Sequence, residues 1–158
     1  ILVLLDNGTT AMTGNQPTAA SGKLPEGSEG VSVPLEQILN GCGITFIRVI
    51  EPYDIPAFIA ALTEAEQFTR SAHGGIAVLI ARHGCLMNRD KLKTEHKQNV
   101  WVSSECTGCQ YCIKNFECPA LKFDVGKKKV SIDETVCVGC AVCIHVCPVN
   151  AIKIKGLT

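Results

Sequence analysis

Two runs decide the fold: CTGCQYCIKNFECP, Cys106 to Pro119, and CVGCAVCIHVCP, Cys137 to Pro148. Each spaces three cysteines two residues apart and sets a fourth directly before a proline, so the last third of the chain is an internal duplication. A short β stretch follows each Cys-Pro, Ala120-Leu121-Lys122-Phe123 in one half and Ala151-Ile152-Lys153-Ile154 in the other. Gly126-Lys127 marks the turn of a hairpin between the halves.

The spacing has a physical reason. Three thiolates at this interval can reach three irons of a cubane, while the cysteine before proline reaches the cluster of the other half, so each cluster ties the two repeats together. Cys106, Cys109, Cys112 and Cys147 are therefore assigned to one 4Fe-4S cluster, and Cys137, Cys140, Cys143 and Cys118 to the other. Structural zinc also takes CxxC pairs, but it has no use for a third cysteine at the same interval or for the proline. One feature departs from the usual pattern: five residues, not three, separate Cys112 from Cys118, which predicts a larger loop there with the same ligands. Residues of about 102 to 156 resemble the bacterial-type dicluster ferredoxins, which move single electrons and do no bond chemistry.

Composition sets the outer limits. The chain has 158 residues, fifteen basic and fifteen acidic, and is 46% hydrophobic, enough for one ordinary domain or a modest one plus a small one. Even charge without a basic block gives no reason to expect nucleic acid, and no apolar run approaches the length of a membrane span. Eight of the ten cysteines fall in the ligand runs, which suits metal ligation in a reducing cytoplasm better than a disulfide scaffold. The remaining two, Cys42 and Cys85, read as buried inert thiols. An opening Ile inside a strand predicts a piece of a longer polypeptide.

The first half reads as alternating strands and helices. The apolar run of residues 1 to 7 predicts a central parallel strand. Residues 8 to 30 carry many Gly, Ser and Pro and almost no hydrophobic period, so they predict a long functional loop. Ser32 is the expected N-cap of a helix over Pro34 to Leu39, with Gly41 as its stop. Strand Ile44 to Ile50 follows. Asp54 then caps a helix from about Pro56 to Phe68 that sets Phe58, Ile59, Leu62 and Ala65 on one face. Ile76 to Ala81 is a third buried strand. The result is an α/β layer with parallel strands over residues 1 to 88, a linker over 89 to 101, and a small α+β dicluster ferredoxin domain over 102 to 158.

In α/β sheets ligands bind at the carboxyl ends of strands, and the stretch DNGTTAMTGNQP, Asp6 to Pro17, lies there. The Asn7 side-chain oxygen and the Thr9 carbonyl are hard donors of the kind Mg2+ accepts while it holds a diphosphate. This stretch resembles the second half of the thiamine diphosphate motif of the 2-oxoacid:ferredoxin oxidoreductases. Within that family it is most similar to the α subunits of the indolepyruvate enzymes, through TAMTG at Thr10 to Gly14. FIRVIEPYD, Phe46 to Asp54, and IARHGC, Ile80 to Cys85, extend the resemblance over nearly the whole chain.

The resemblance implies that the first domain is the C-terminal part of a thiamine diphosphate-binding domain. Asn7 would ligate Mg2+ through its side chain and Thr9 through its main-chain oxygen. Thr10, Ala11, Met12 and Thr13 would lie beside the thiamine ring and diphosphate. Pyruvate-specific relatives carry Asn-Thr-Gly-Gly-Gln here, so Met12 and Asn15 are departures, and Met12 suits an aryl substrate. The family's Gly-Asp-Gly, with the first Mg2+ ligand, belongs upstream of Ile1. The implied activity is oxidative decarboxylation of an aryl 2-oxoacid, indolepyruvate, to its acyl-coenzyme A. A β subunit, coenzyme A and an external ferredoxin are the implied partners. The same chemistry on pyruvate or another 2-oxoacid is one alternative; a non-catalytic electron-transfer module, which leaves the Asn7 to Gln16 loop without purpose, is the other.

Overall fold

The structure is a computed structural model that describes residues 1–86 and 98–156. It divides into two compact units, Ile1–Lys93 and Thr94–Thr158. Most of the expected linker, 89–97, lies outside the described residues.

The first unit runs β1 (Leu2–Asp6), α1 (Leu35–Gly41), β2 (Phe46–Ile50), α2 (Ile55–Arg70) and β3 (Ala77–Arg82). All three strands are parallel, in the order β1-β3-β2. The expectation of a central first strand is corrected: β3 is central, with Val78, Leu79 and Ile80 fully buried. β1 pairs only with β3 among the described strands, and Leu5 is 80% exposed. An unbroken apolar run signals burial without saying which edge of a sheet the strand takes.

Helix α2 forms where the sequence placed it. Asp54 accepts a hydrogen bond from the Ala57 N–H at 3.1 Å, filling one of the donors a helix start leaves open. The buried stripe is Phe58, Ala61, Leu62, Ala65 and Phe68, set on a core of Phe46, Ile50, Ala77 and Leu79. Phe68 stacks on Phe46 with ring centroids 5.0 Å apart. Ile59 is a correction: it is exposed, because the i, i+3, i+4, i+7 set counted from Phe58 turns it off the sheet. Burial of each large side chain in this core contributes about 1.5–3 kcal/mol.

Two further expectations change. α1 is capped by Pro34, whose carbonyl accepts from Gln37 and Ile38, while the Ser32 hydroxyl donates instead to the Ala20 carbonyl at 2.9 Å. α1 also runs through Gly41, and Gly43 takes the left-handed conformation just beyond it, at φ +78°. The loop of residues 8 to 30 is internally hydrogen-bonded. It holds two 3-10 turns, Ala11–Thr13 and Ala19–Ser21, and two antiparallel bridges, Thr10 with Gln16 and Lys23 with Glu29.

The second unit runs β4 (Val100–Val102), α3 (Tyr111–Phe116), β5 (Leu121–Asp124), β6 (Lys129–Ile132), α4 (Val142–Val146) and β7 (Ile152–Ile154). β5 and β6 form the hairpin expected around Gly126. β4, read from sequence as the end of a linker, is a strand and pairs antiparallel with β7. Exchanging the two repeats maps β4 onto β6 and β5 onto β7, so the pairs β4–β7 and β5–β6 exchange as well. The duplication in sequence is thus a twofold repeat in topology. α3 packs on α4 over a shared core of Val100, Leu121, Val130, Ala151 and Ile152.

Candidate functional site

The cysteine loops owe their shape to paired left-handed residues. Gly108 and Gln110 stand at φ 71° and 59°, and Gly139 and Ala141 at 75° and 60°. These residues alternate with Cys109 and Cys140, so each loop turns in the same way before its short helix. The first member of each pair is glycine, for which such a φ costs little. Cys112 and Cys143 then fall within α3 and α4, and Cys118 and Cys147 just beyond. The five-residue spacer does not open a loop as expected. Its extra length makes α3 six residues against five for α4 and adds Glu117, left-handed at φ 52°.

The thiols gather in two groups across the repeats. Burial, and then the charges of Cys140, Cys137 and Cys118, push the Cys143 thiol up to about 12. Burial, and then Cys147 and Cys109, raise that of Cys112. Cys118 therefore stands with the thiols of the second repeat, and Cys147 with those of the first. Cys106 packs on the same apolar core.

Cys118, Cys137, Cys140 and Cys143 line one cavity of about 130 Å³, whose other walls include Phe116, Leu121, Ile132 and Val136. Among the described residues no three His, Cys, Asp or Glu side chains converge on a point where one metal ion could sit. Four thiolates on separate irons of a cubane do not have to meet at a point, whereas zinc ligands do. The sulfurs and the space between them fit a cluster.

The strand-end loop is built differently. The Asn7 side-chain oxygen accepts the Thr9 N–H at 3.1 Å, and the Gly8 N–H donates to Asp6 at 3.3 Å. Thr9 is buried and its hydroxyl donates to the Gln16 carbonyl at 3.0 Å. The Thr9 carbonyl takes no hydrogen bond among the described residues, so an oxygen donor stands ready beside that of Asn7. These two donors fit a divalent cation in type. Thr10, Ala11, Met12 and Thr13 form the tip, where Met12 is fully exposed.

Charged residues at the strand ends escaped the sequence reading. The Arg82 Nε donates to Asp6 at 2.7 Å, and its two terminal nitrogens donate to the carboxylate of Glu36 at 2.8 and 3.0 Å. Glu36, held below its usual value by the Arg82 guanidinium, thus ties α1 to the sheet. His83 Nδ1 lies 2.9 Å from Glu51 and its ring meets Tyr53 edge-on. Both sets lie within FIRVIEPYD and IARHGC or beside Asn7, yet only the parallel register brings Asp6 opposite Arg82. Cys42 and Cys85 also correct the reading: Cys42 is exposed and Cys85 half-buried, its N–H donating to the Asn7 carbonyl at 3.3 Å.

Comparison with known proteins agrees with both halves of this geometry. Residues 130–153 match the family described as "4Fe-4S binding domain". Indolepyruvate oxidoreductase subunit IorA of Archaeoglobus fulgidus is 43% identical over 155 residues, covering 97% of this chain and 24% of its own length. The chain is homologous to part of subunit IorA. IorA of Thermococcus kodakarensis is 34% identical over 157 residues, 97% of this chain and 23% of its own. The chain thus spans about a quarter of the length of the curated IorA relatives it matches. The cysteine region alone reaches further afield: a subunit of the ion-translocating oxidoreductase complex of Magnetococcus marinus is 56% identical over 34 residues, 22% of this chain and 19% of its own. No solved structure matches. The chain is therefore of mixed α/β structure with a ferredoxin-type 4Fe-4S domain. No helix of the described residues is long and apolar enough to cross a membrane.

Proposed function

We propose that this IorA homologue is the electron-carrying part, and one side of the thiamine diphosphate and Mg2+ site, of an oxidoreductase that decarboxylates aryl 2-oxoacids such as indolepyruvate to acyl-coenzyme A. The observation that carries the reading is the grouping of thiols across the repeats, Cys118 with Cys137, Cys140 and Cys143 around a closed space and Cys147 with Cys112 and Cys109. Such grouping suits two 4Fe-4S clusters, which accept electrons one at a time.

The chain's own residues divide the work. Cys106, Cys109, Cys112 and Cys147 hold one cluster, and Cys118, Cys137, Cys140 and Cys143 the other. Asn7 offers its side-chain oxygen and Thr9 its carbonyl to Mg2+, and Thr10 to Thr13 lie along the diphosphate and ring. Bound thiamine diphosphate supplies the electron sink that lets a 2-oxoacid lose CO2. Asp6 and Arg82 hold the first turn of that loop through the Gly8 N–H. A β subunit and an external ferredoxin complete the assembly in this reading, which places it in the cytoplasm.

Crosswise substitution tests the cluster assignment. Cys118→Ser, though in the first repeat, should remove the cluster of the second repeat, and anaerobic iron and sulfide counts should fall from about eight to about four per chain. Loss of the cluster of its own repeat would sink the exchanged-ligand assignment. For the reaction, the complete enzyme is assayed on 2-oxoacids with a low-potential acceptor. Turnover of indolepyruvate dependent on thiamine diphosphate is expected, and electron transfer without any 2-oxoacid turnover would favour a plain ferredoxin module.

A further inference from the structure

The two sets of thiols lie in unlike surroundings. In the first, Cys109 is exposed and Cys106 half-buried, and the loop around them carries Glu105, Thr107 and Gln110. The Tyr111 N–H, and after it the Thr107 hydroxyl, hold the Cys109 thiol below its usual range. The Ala151 N–H donates to the Cys147 sulfur at 3.2 Å from within the core. In the second set the loop is Val136-Cys137-Val138-Gly139-Cys140, and the four sulfurs share a cavity with Phe116, Leu121 and Ile132.

Reduction of a 4Fe-4S cluster adds one electron to a group that is already negative, with no bond made or broken. Water and N–H or O–H donors at the ligand sulfurs stabilise the added charge, and an apolar wall does not. We propose that the clusters are unequal. The one held by Cys106, Cys109, Cys112 and Cys147 has the higher potential and is reduced first. The one held by Cys118, Cys137, Cys140 and Cys143 is reduced only by stronger reductants. This rests on the iron–sulfur reading above and adds to it a direction: electrons collect on the cluster with the exposed Cys109.

The test is a redox titration with dithionite on the full chain with its iron restored anaerobically, followed by electron paramagnetic resonance. Two separate one-electron waves are expected. Thr107→Val removes a donor from the first set, so only the higher wave should move, downward. The ratio of reduced first cluster to reduced second cluster at a fixed potential should fall about three- to tenfold, tenfold being about 59 mV for one electron. Val138→Thr, at an exposed position, should move only the lower wave, upward, and keeps the test alive if the first variant loses its cluster. About eight irons with a single unsplit wave would overturn the ordering alone. So would a Thr107→Val shift confined to the lower wave. A chain that takes up no iron would overturn the iron–sulfur reading as well.

Discussion

Replacing Gly108 by Ala should damage the ferredoxin unit more than any other single methyl added to its turns. A Cβ at Gly108 would stand 2.2 Å from the Lys128 carbonyl oxygen and 3.2 Å from its carbon, at φ +71°. The left-handed conformation costs an L-residue about 1–2 kcal/mol, and forcing a methyl against backbone that cannot rotate away adds about 1–3 kcal/mol. Together that is about 2–5 kcal/mol, or roughly 30-fold to a few thousand-fold in the folding equilibrium. The control is Gly126→Ala, whose Cβ would meet only the Asp124 carboxylate, at 3.4 Å. Urea unfolding of the full chain, followed anaerobically by circular dichroism and by cluster absorbance, reads both variants. Gly108→Ala should unfold at much lower urea and lose the iron bound through Cys106 and Cys109, while Gly126→Ala should stay near wild type. If the two variants share one midpoint and one iron content, the close approach of the Cys106 loop to the β5–β6 turn is not what shapes the site.

The first unit offers further tests. Glu36→Gln should lower its thermal stability at neutral pH. The folded value of Glu36 lies below its ordinary 4.5 because of Arg82, so its stabilisation is present above that value and disappears as pH falls through the folded one. Melting curves of variant and wild type should converge in acid, and a gap that persists there would refute the pairing. Asp54→Ala should cost about 1 kcal/mol by removing the α2 cap, with Asp54→Asn restoring most of it; equal melting of all three would exclude the cap. Leu79→Ala, at a fully buried position of the central strand, should cost about 2–5 kcal/mol in denaturant unfolding.

What could be read from the sequence was what is local in it. The cysteine intervals carry the grouping of ligands because an iron cubane dictates distances between residues two or three apart. The Asp54 cap and the α2 stripe depend likewise on one or two turns of chain. β4 was lost inside a linker because three residues, Val100 to Val102, have too short a pattern to stand out until β7, some fifty residues later, pairs with them. The rank of β1 in its sheet and the Arg82 contacts with Asp6 and Glu36 depend on parallel register between segments far apart, which no window of sequence contains. Asn7 and Thr9 were found by type and position, but their hydrogen bonds to each other and to Gln16 belong to loop geometry.

The antiparallel pairing of β4 with β7, extended by the Lys155 N–H to the Asn99 carbonyl at 2.6 Å, makes the ferredoxin unit a closed ring in which the first strand lies against the last. The polypeptide enters and leaves it at neighbouring points, so the unit's order of elements is a matter of where the ring is cut. Opened instead at the exposed Val125 to Lys128 turn, with β7 joined to β4 by a short bridge, the same strands and the same crossed thiols would still meet. A module of this kind can be carried on an unrelated polypeptide without rerouting its host, which is consistent with cysteine-region similarity to a protein of a different complex.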